Sequence, residues 1–177
     1  MKNFKTKEMV IAALLTAISI LIPNVFPSIP LGPFTATFAS HLPVIIAMFI
    51  SPVVALMASL GSAIGFAIKF ASMPWVIARA AMHIPFAVLG AYILKKNGNI
   101  FLTIFLTMIV HSVLEVIAVL PFLNVMPVTP KVLEIFGMAI PLTWAMVILI
   151  GTMIHHLLDS AIAVAVIKAL KSAKVIK

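Results

Sequence analysis

The chain has 177 residues, 64% of them hydrophobic and 9% charged, with 12 Lys or Arg against 4 Asp or Glu and a formal net charge of +8. A soluble globular domain carries about 25% charged and 45–50% apolar residues, so these proportions exclude a water-soluble enzyme or nucleic-acid-binding domain. The absence of cysteine removes disulfides, thiolate catalysis and Cys-based metal sites.

A helix rises about 1.5 Å per residue and needs about 20 apolar residues to cross a hydrocarbon layer of about 30 Å. The length therefore accommodates six spans in a single membrane domain and little else. No Asp, Glu, Lys or Arg occurs between Met9 and Ile68. Within that stretch the helix breakers Pro23, Pro27, Pro30, Gly32 and Pro33 end a first span over about 7–22. Lys2, Lys5 and Lys7 ahead of it look like the start of a signal peptide, but no cleavage site leads into a polar mature domain, so the span reads as retained. A second span is expected over about 35–50. Ser51-Pro52, an N-cap followed by a first-turn proline, then opens a third over about 52–69. Apolar runs over about 75–94, 100–121 and 141–168 complete the six. All are expected to be helical, because an isolated strand cannot satisfy its backbone in lipid.

Nine of the twelve basic residues (Lys2, Lys5, Lys7, Lys95, Lys96, Lys168, Lys171, Lys174 and Lys177) fall on one side of such a bundle, with Lys69, Arg79 and Lys131 toward the other. Basic residues concentrate on the inner side, so both termini are expected in the cytoplasm and the positive charge marks orientation, with no nucleic acid as partner. The outer connections over 23–34 and 122–140 are long enough to cover an outward-facing cavity. No phosphate-binding P-loop is present, so any ATPase would be a separate polypeptide.

Ionisable residues deep in a span cost roughly 2.5–3.5 kcal/mol each and mark candidate sites. The fourth span carries Arg79 and His83 on one face, and the fifth carries His111 and Glu115. Counted from the outer ends, Arg79 lies about 6 Å in, Glu115 about 9 Å, His83 about 12 Å and His111 about 15 Å. Thr37, Ser40 and His41 share a face at similar depth. Two readings are open: Arg79 and Glu115 neutralise one another as a buried ion pair, or they line a substrate cavity in which Arg79 offers a donor fork to a carboxylate and Glu115 or a histidine takes the ligand's polar end. His155, His156, Asp159 and Ser160 in the sixth span count to about 21–28 Å from its outer end, near the cytoplasmic side. They read as a structural network or partner contact, and no metal site is expected. Trp75 and Trp144 fit an outer aromatic belt or a ring-stacking wall. Gly61-x-x-x-Gly65 lets another helix approach closely, and Ala13-x-x-x-Ala17 does so either within the protein or toward a second one.

This layout resembles a substrate-binding S-component of an energy-coupling factor (ECF) vitamin transporter. Within that family, FTATFASHLPVIIAMFISPVVALMASLGSAIGF (Phe34 to Phe66), RAAMH (Arg79 to His83) and HSVLE (His111 to Glu115) are most similar to the niacin-specific branch. Where that branch has small hydroxylated residues after Gly61, this chain has Ser62-Ala63, a mild departure. The resemblance implies a non-enzymatic, multi-pass protein of a prokaryotic cell membrane that captures its vitamin outside, with no cofactor. Its partners would be a transmembrane coupling protein, met by the Ala13 and Ala17 face, and two ATPase subunits. Niacin is a pyridine carboxylate, so Arg79 would take the carboxylate. His83, His111, Glu115, His41 or Thr37 would take the polar end, and Trp75 and Trp144 would wall the ring. Other small heterocycles (pantothenate, a pyrimidine, pyridoxine), a solitary proton-coupled carrier using Glu115 and His111, and an intramembrane metal-dependent enzyme using His83, His111 and the sixth-span cluster stay open at this point.

Overall fold

Local signals set most helix ends. In the computed structural model, which describes residues 6–31, 34–126 and 140–176, Ser51 Oγ accepts from Val54 N at 3.3 Å and so caps the helix that Pro52 begins. Asn99 does the same for Leu102 N at 3.0 Å. Gly98, at φ 67°, ends the preceding helix in the left-handed conformation that glycine adopts without strain.

In chain order the elements are α1 (Thr6–Val25), β1 (Ser28–Leu31), β2 (Phe34–Thr37), α2 (Leu42–Met48), α3 (Pro52–Lys69), α4 (Pro74–Ala81), α5 (His83–Asn97), α6 (Ile100–Val119) continued by a 3₁₀ turn (Leu120–Phe122), and α7 (Ile140–Ser172). Five helical segments are long and apolar enough to cross a membrane: Thr6–Val25, Pro52–Lys69, Pro74–Asn97, Ile100–Phe122 and Thr143–Ser172. Their outward faces carry Leu14, Leu21, Ile64, Phe105, Val113 and Leu158, all exposed, as lipid contact requires. The protein is thus a mostly helical integral membrane protein.

The expected second span is the clear departure. Residues 34–37 instead form β2, antiparallel to β1 with Ser28 opposite Thr37 and Leu31 opposite Phe34. Only seven residues remain as α2, about 10 Å of helix and too short to cross. The reason is tethering. Asp159 on α7 accepts from the backbone N–H of Ala39 at 3.2 Å and of His41 at 2.9 Å. This holds a turn in which Ala39 takes φ 60°, and Pro43 then starts α2. Pro43 to Met48 are all buried, so this irregular segment is enclosed by protein, the condition under which it is tolerated at membrane depth.

The fourth span is interrupted at Met82 for a related reason. Pro85 has no N–H to return to Ala81, and Met82 N bonds instead to Arg79 O at 2.9 Å, a tighter turn that separates α4 from α5. Against α3, α1 packs at backbone distance: a Cβ on Gly61 would stand 2.7 Å from Thr16 O, and one on Gly65 2.6 Å from Ile20 O. The glycine motif therefore seats α1 within the same bundle. Lys2, Lys5, Gly32, Pro33, Lys131, Lys177 and most of the expected outer connection over 122–140 lie outside the described residues.

Candidate functional site

Two apolar clusters frame a polar layer. One gathers α2 with Phe86, Ala55 and Ala163; the other holds Phe34, Phe66, Trp75, Trp144 and Ile148. Between Phe86 and Phe66 lies His83, at ring-centroid distances of 5.8 Å from each.

Arg79 on α4 and Glu115 on α6 meet, as their similar depths allow. Arg79 Nε and Nη2 donate to Glu115 Oε2 at 3.0 and 2.9 Å, with both side chains at most 5% exposed. Thr152 on α7 donates to the same carboxylate oxygen. The guanidinium also lies over the Phe34 ring at 4.6 Å, a cation–π contact. Phe34 fits because Gly151 has no side chain: a Cβ there would come within 2.9 Å of the ring.

All five histidines of the chain join this layer. The His41 ring centroid lies 4.7 Å from His83, 4.9 Å from His111, 4.6 Å from His155 and 5.7 Å from His156. Each ring is held by a partner on another element. His41 Nδ1 donates to Asp159 Oδ2 at 2.9 Å, and His83 Nδ1 pairs with Ser62 Oγ at 2.8 Å. His155 Nε2 donates to the Thr37 carbonyl at 3.0 Å. His111 Nδ1 meets His156 Nδ1 at 3.3 Å, and His156 Nε2 meets Thr107 Oγ1 at 3.3 Å. His111 Nε2 stands 3.2 Å from Glu115 Oε1 but at no hydrogen-bonding angle, and among the described residues it has no hydrogen-bond partner.

Two sequence expectations change here. His155, His156 and Asp159 belong to the same layer as His83 and His111, where counting placed them near the cytoplasmic side. The count assumed that all spans end at one level. Thr152 meets Glu115 although it lies about 18 Å into α7 and Glu115 only about 10 Å from the end of the segment that closes at Phe122, so α7 extends about 8 Å beyond its neighbour. Trp75 and Trp144, at 9% and 0% exposure, are packed inside the protein; a belt residue would face lipid. Thr37 is buried, but its hydroxyl bonds Ser28 Oγ at 2.8 Å and ties β1 to β2.

A cavity of about 20 Å³ opens among Thr35, Ser40, His41, Phe66, Arg79, His83, Glu115 and His155. That is room for about one water. Thr35 Oγ1 and Ser40 Oγ are buried without a hydrogen-bond partner among the described residues, which is costly unless something polar enters. Sequence reasoning did not single out Thr35, Phe34, Phe66 or Thr152 as part of a site. An alternation of Thr35 and Thr37 is a strand signal, and it was the only trace of the hairpin that carries the first two. Ala13 and Ala17 are exposed on α1.

A charged pair, five histidines and unpaired hydroxyls enclosed by membrane-length helices define an integral membrane protein built around a small polar chamber. Over 170 residues the chain is 34% identical to the niacin transporter NiaX of Lactococcus lactis subsp. cremoris (strain MG1363), a match spanning 92% of this chain and 73% of the relative. The chain belongs to that family, the niacin branch of the ECF S-components. No protein-family model and no solved structure matches it.

Proposed function

We propose that the chain is the binding component of a niacin uptake system, and that nicotinate is held in the chamber lined by Arg79 and His83. What carries this reading is a buried guanidinium that already grips one carboxylate at the edge of a cavity whose other walls are imidazoles and unpaired hydroxyls. A pyridine carboxylate matches both halves: Arg79 for the anion, beside Glu115, and an imidazole facing the ring nitrogen. His41 and Glu115 complete the polar wall, with His111 packed behind His41 and His83, while Trp75 and Trp144 support it from the second apolar cluster. Because the chamber admits about one water, nicotinate enters only after side chains or the β1–β2 hairpin move aside.

In this reading the protein sits in a prokaryotic cell membrane with both termini in the cytoplasm and is not an enzyme. A transmembrane coupling protein and two ATPase subunits supply the energy. The exposed Ala13 and Ala17 support a docking face on α1 for the coupling protein, since two small residues one turn apart allow close helix approach.

Titration of the purified protein with nicotinate and nicotinamide tests the ligand. Nicotinate should bind at least about tenfold tighter, a difference of about 1.4 kcal/mol for a charge-assisted contact. Equal binding of the amide, or none of nicotinate, overturns the assignment.

A further inference from the structure

We propose that His41, His83 and His111 form a binding site for one divalent late first-row transition-metal ion, and that an open position of this ion takes the ligand's pyridine nitrogen. One ring nitrogen from each residue lies within 4.8 Å of those of the other two, and all three side chains are buried. Nitrogens about 2.0–2.1 Å from a common tetrahedral ion stand about 3.4 Å apart, so each needs to move inward by about 1 Å at most. Small changes of ring rotation supply that.

The hydrogen bonds around the rings favour a metal over a plain polar core. Ligating histidines hold their second nitrogen on a carboxylate or other polar group, which fixes tautomer and direction. Asp159 does this for His41, Ser62 for His83 and His156 for His111, in each case at Nδ1. Asp159 accepts from His41 Nδ1, so a neutral His41 carries its lone pair on Nε2. Among the described residues Nε2 forms no hydrogen bond in His83 or His111 either, and in His111 it is fully buried. A buried imidazole nitrogen without a hydrogen bond, in a group of three rings that each offer a nitrogen within 4.8 Å of the others, is the arrangement that a cation would satisfy.

A second triad, His41, His155 and Asp159, is also close enough. It is the weaker candidate, because Asp159 already accepts from two backbone N–H groups and is better placed as the group that orients His41. Three imidazoles without thiolates suit Zn²⁺, Co²⁺ or Ni²⁺ rather than Mg²⁺ or Ca²⁺, which prefer oxygen. Glu115 Oε1, 3.2 Å from His111 Nε2, sets a negative charge beside the ion. With three protein ligands a tetrahedral ion keeps a fourth position, and His41 and His83 line the cavity into which it would open.

The metal site stands by itself; the role of its open position rests on the niacin reading. The full chain, tag-free in detergent, is stripped with chelator and titrated calorimetrically with ZnCl₂, and in parallel with CoCl₂ followed by visible absorption. Nicotinate is then titrated into the stripped and zinc-loaded samples. One equivalent of zinc and the intense visible bands of tetrahedral cobalt are expected, with nicotinate bound at least tenfold tighter when zinc is present. Asp159→Asn, which keeps an acceptor but removes the charge behind His41, should weaken zinc about 10–100-fold. No stoichiometric zinc together with an aqueous-type cobalt spectrum overturns the metal site, and this cobalt readout needs no variant to fold. Zinc binding that leaves nicotinate affinity unchanged overturns the pyridine contact alone. Absence of nicotinate binding in both samples overturns the niacin reading while the zinc result still decides the site.

Discussion

On α3, Gly61 and Gly65 bring the backbone of α1 to 2.7 and 2.6 Å from where a side chain would begin, while the adjacent Ser62 reaches across to His83 at 2.8 Å. One helix thus serves two regions held together by opposite means. The α1–α3 seam depends chiefly on atoms that are absent, so that two backbones touch, with one hydrogen bond from Asn24 Nδ2 to Gly65 O at 3.3 Å beside the contact. The histidine layer depends on atoms that are present, each needing a partner because no water solvates it. In lipid there is little hydrophobic force between helices, so a seam is disrupted by addition and a polar layer by subtraction.

Removing Arg79 should have the largest effect. Arg79→Ala leaves Glu115 buried and uncompensated, with Thr152 as its remaining hydroxyl donor, at a cost of about 3–5 kcal/mol. Thermal unfolding in detergent would show it as a large fall in Tm, with nicotinate binding lost. Replacing both partners by Met should restore most of the stability and none of the binding, because an apolar pair of similar volume removes the unpaired charge but offers nothing to a carboxylate. Retention of full stability and affinity by Arg79→Ala would mean that the pair neither shapes the layer nor meets ligand.

The seam should respond to the reverse change. Gly65→Val places a branched side chain where the Ile20 carbonyl oxygen already lies 2.6 Å from a single added carbon. The helices must separate, at about 1–3 kcal/mol by analogy with overpacked cores. The check is the same unfolding measurement, and an unchanged Tm would mean that α1 is free to shift along α3.

These two regions were not equally legible in the sequence. The glycine pair announces close packing by spacing alone, whereas its partner, α1, emerges only from the fold. The Arg79–Glu115 pair was legible too, since two opposite charges at matching depth in adjacent spans have few other places to go. What the sequence concealed depends on contacts distant along the chain. Residues 35–50 are as apolar as any span, and nothing local shows that Asp159, more than a hundred positions later, holds Ala39 and His41 in a turn. The overhang of α7 is likewise invisible until Thr152 is seen beside Glu115, so a depth count misplaced His155, His156 and Asp159. Trp75 and Trp144 fit a belt by position in their spans and were moved inside by packing against Phe34 and Ile148.

The smallest effect on the protein itself should come from the outer face of α1. Ala12, Leu15, Ser19 and Ile22 are turned inward, whereas Ala13 and Ala17 are exposed. Ala13→Leu with Ala17→Leu therefore adds bulk at two exposed positions. Stability should change by less than about 0.5 kcal/mol, and nicotinate affinity should be unchanged because the chamber lies beyond α3. Uptake by cells carrying the full transport system should nonetheless fall severely, since a second membrane protein that approaches through two small residues one turn apart cannot do so over two leucines. The separation of readouts is what gives the variant its value: normal binding with lost uptake assigns the face to a partner, and normal uptake moves the docking surface elsewhere. Lost binding would show instead that α1 transmits its position to the histidine layer through α3, and that the seam and the layer are one mechanical unit.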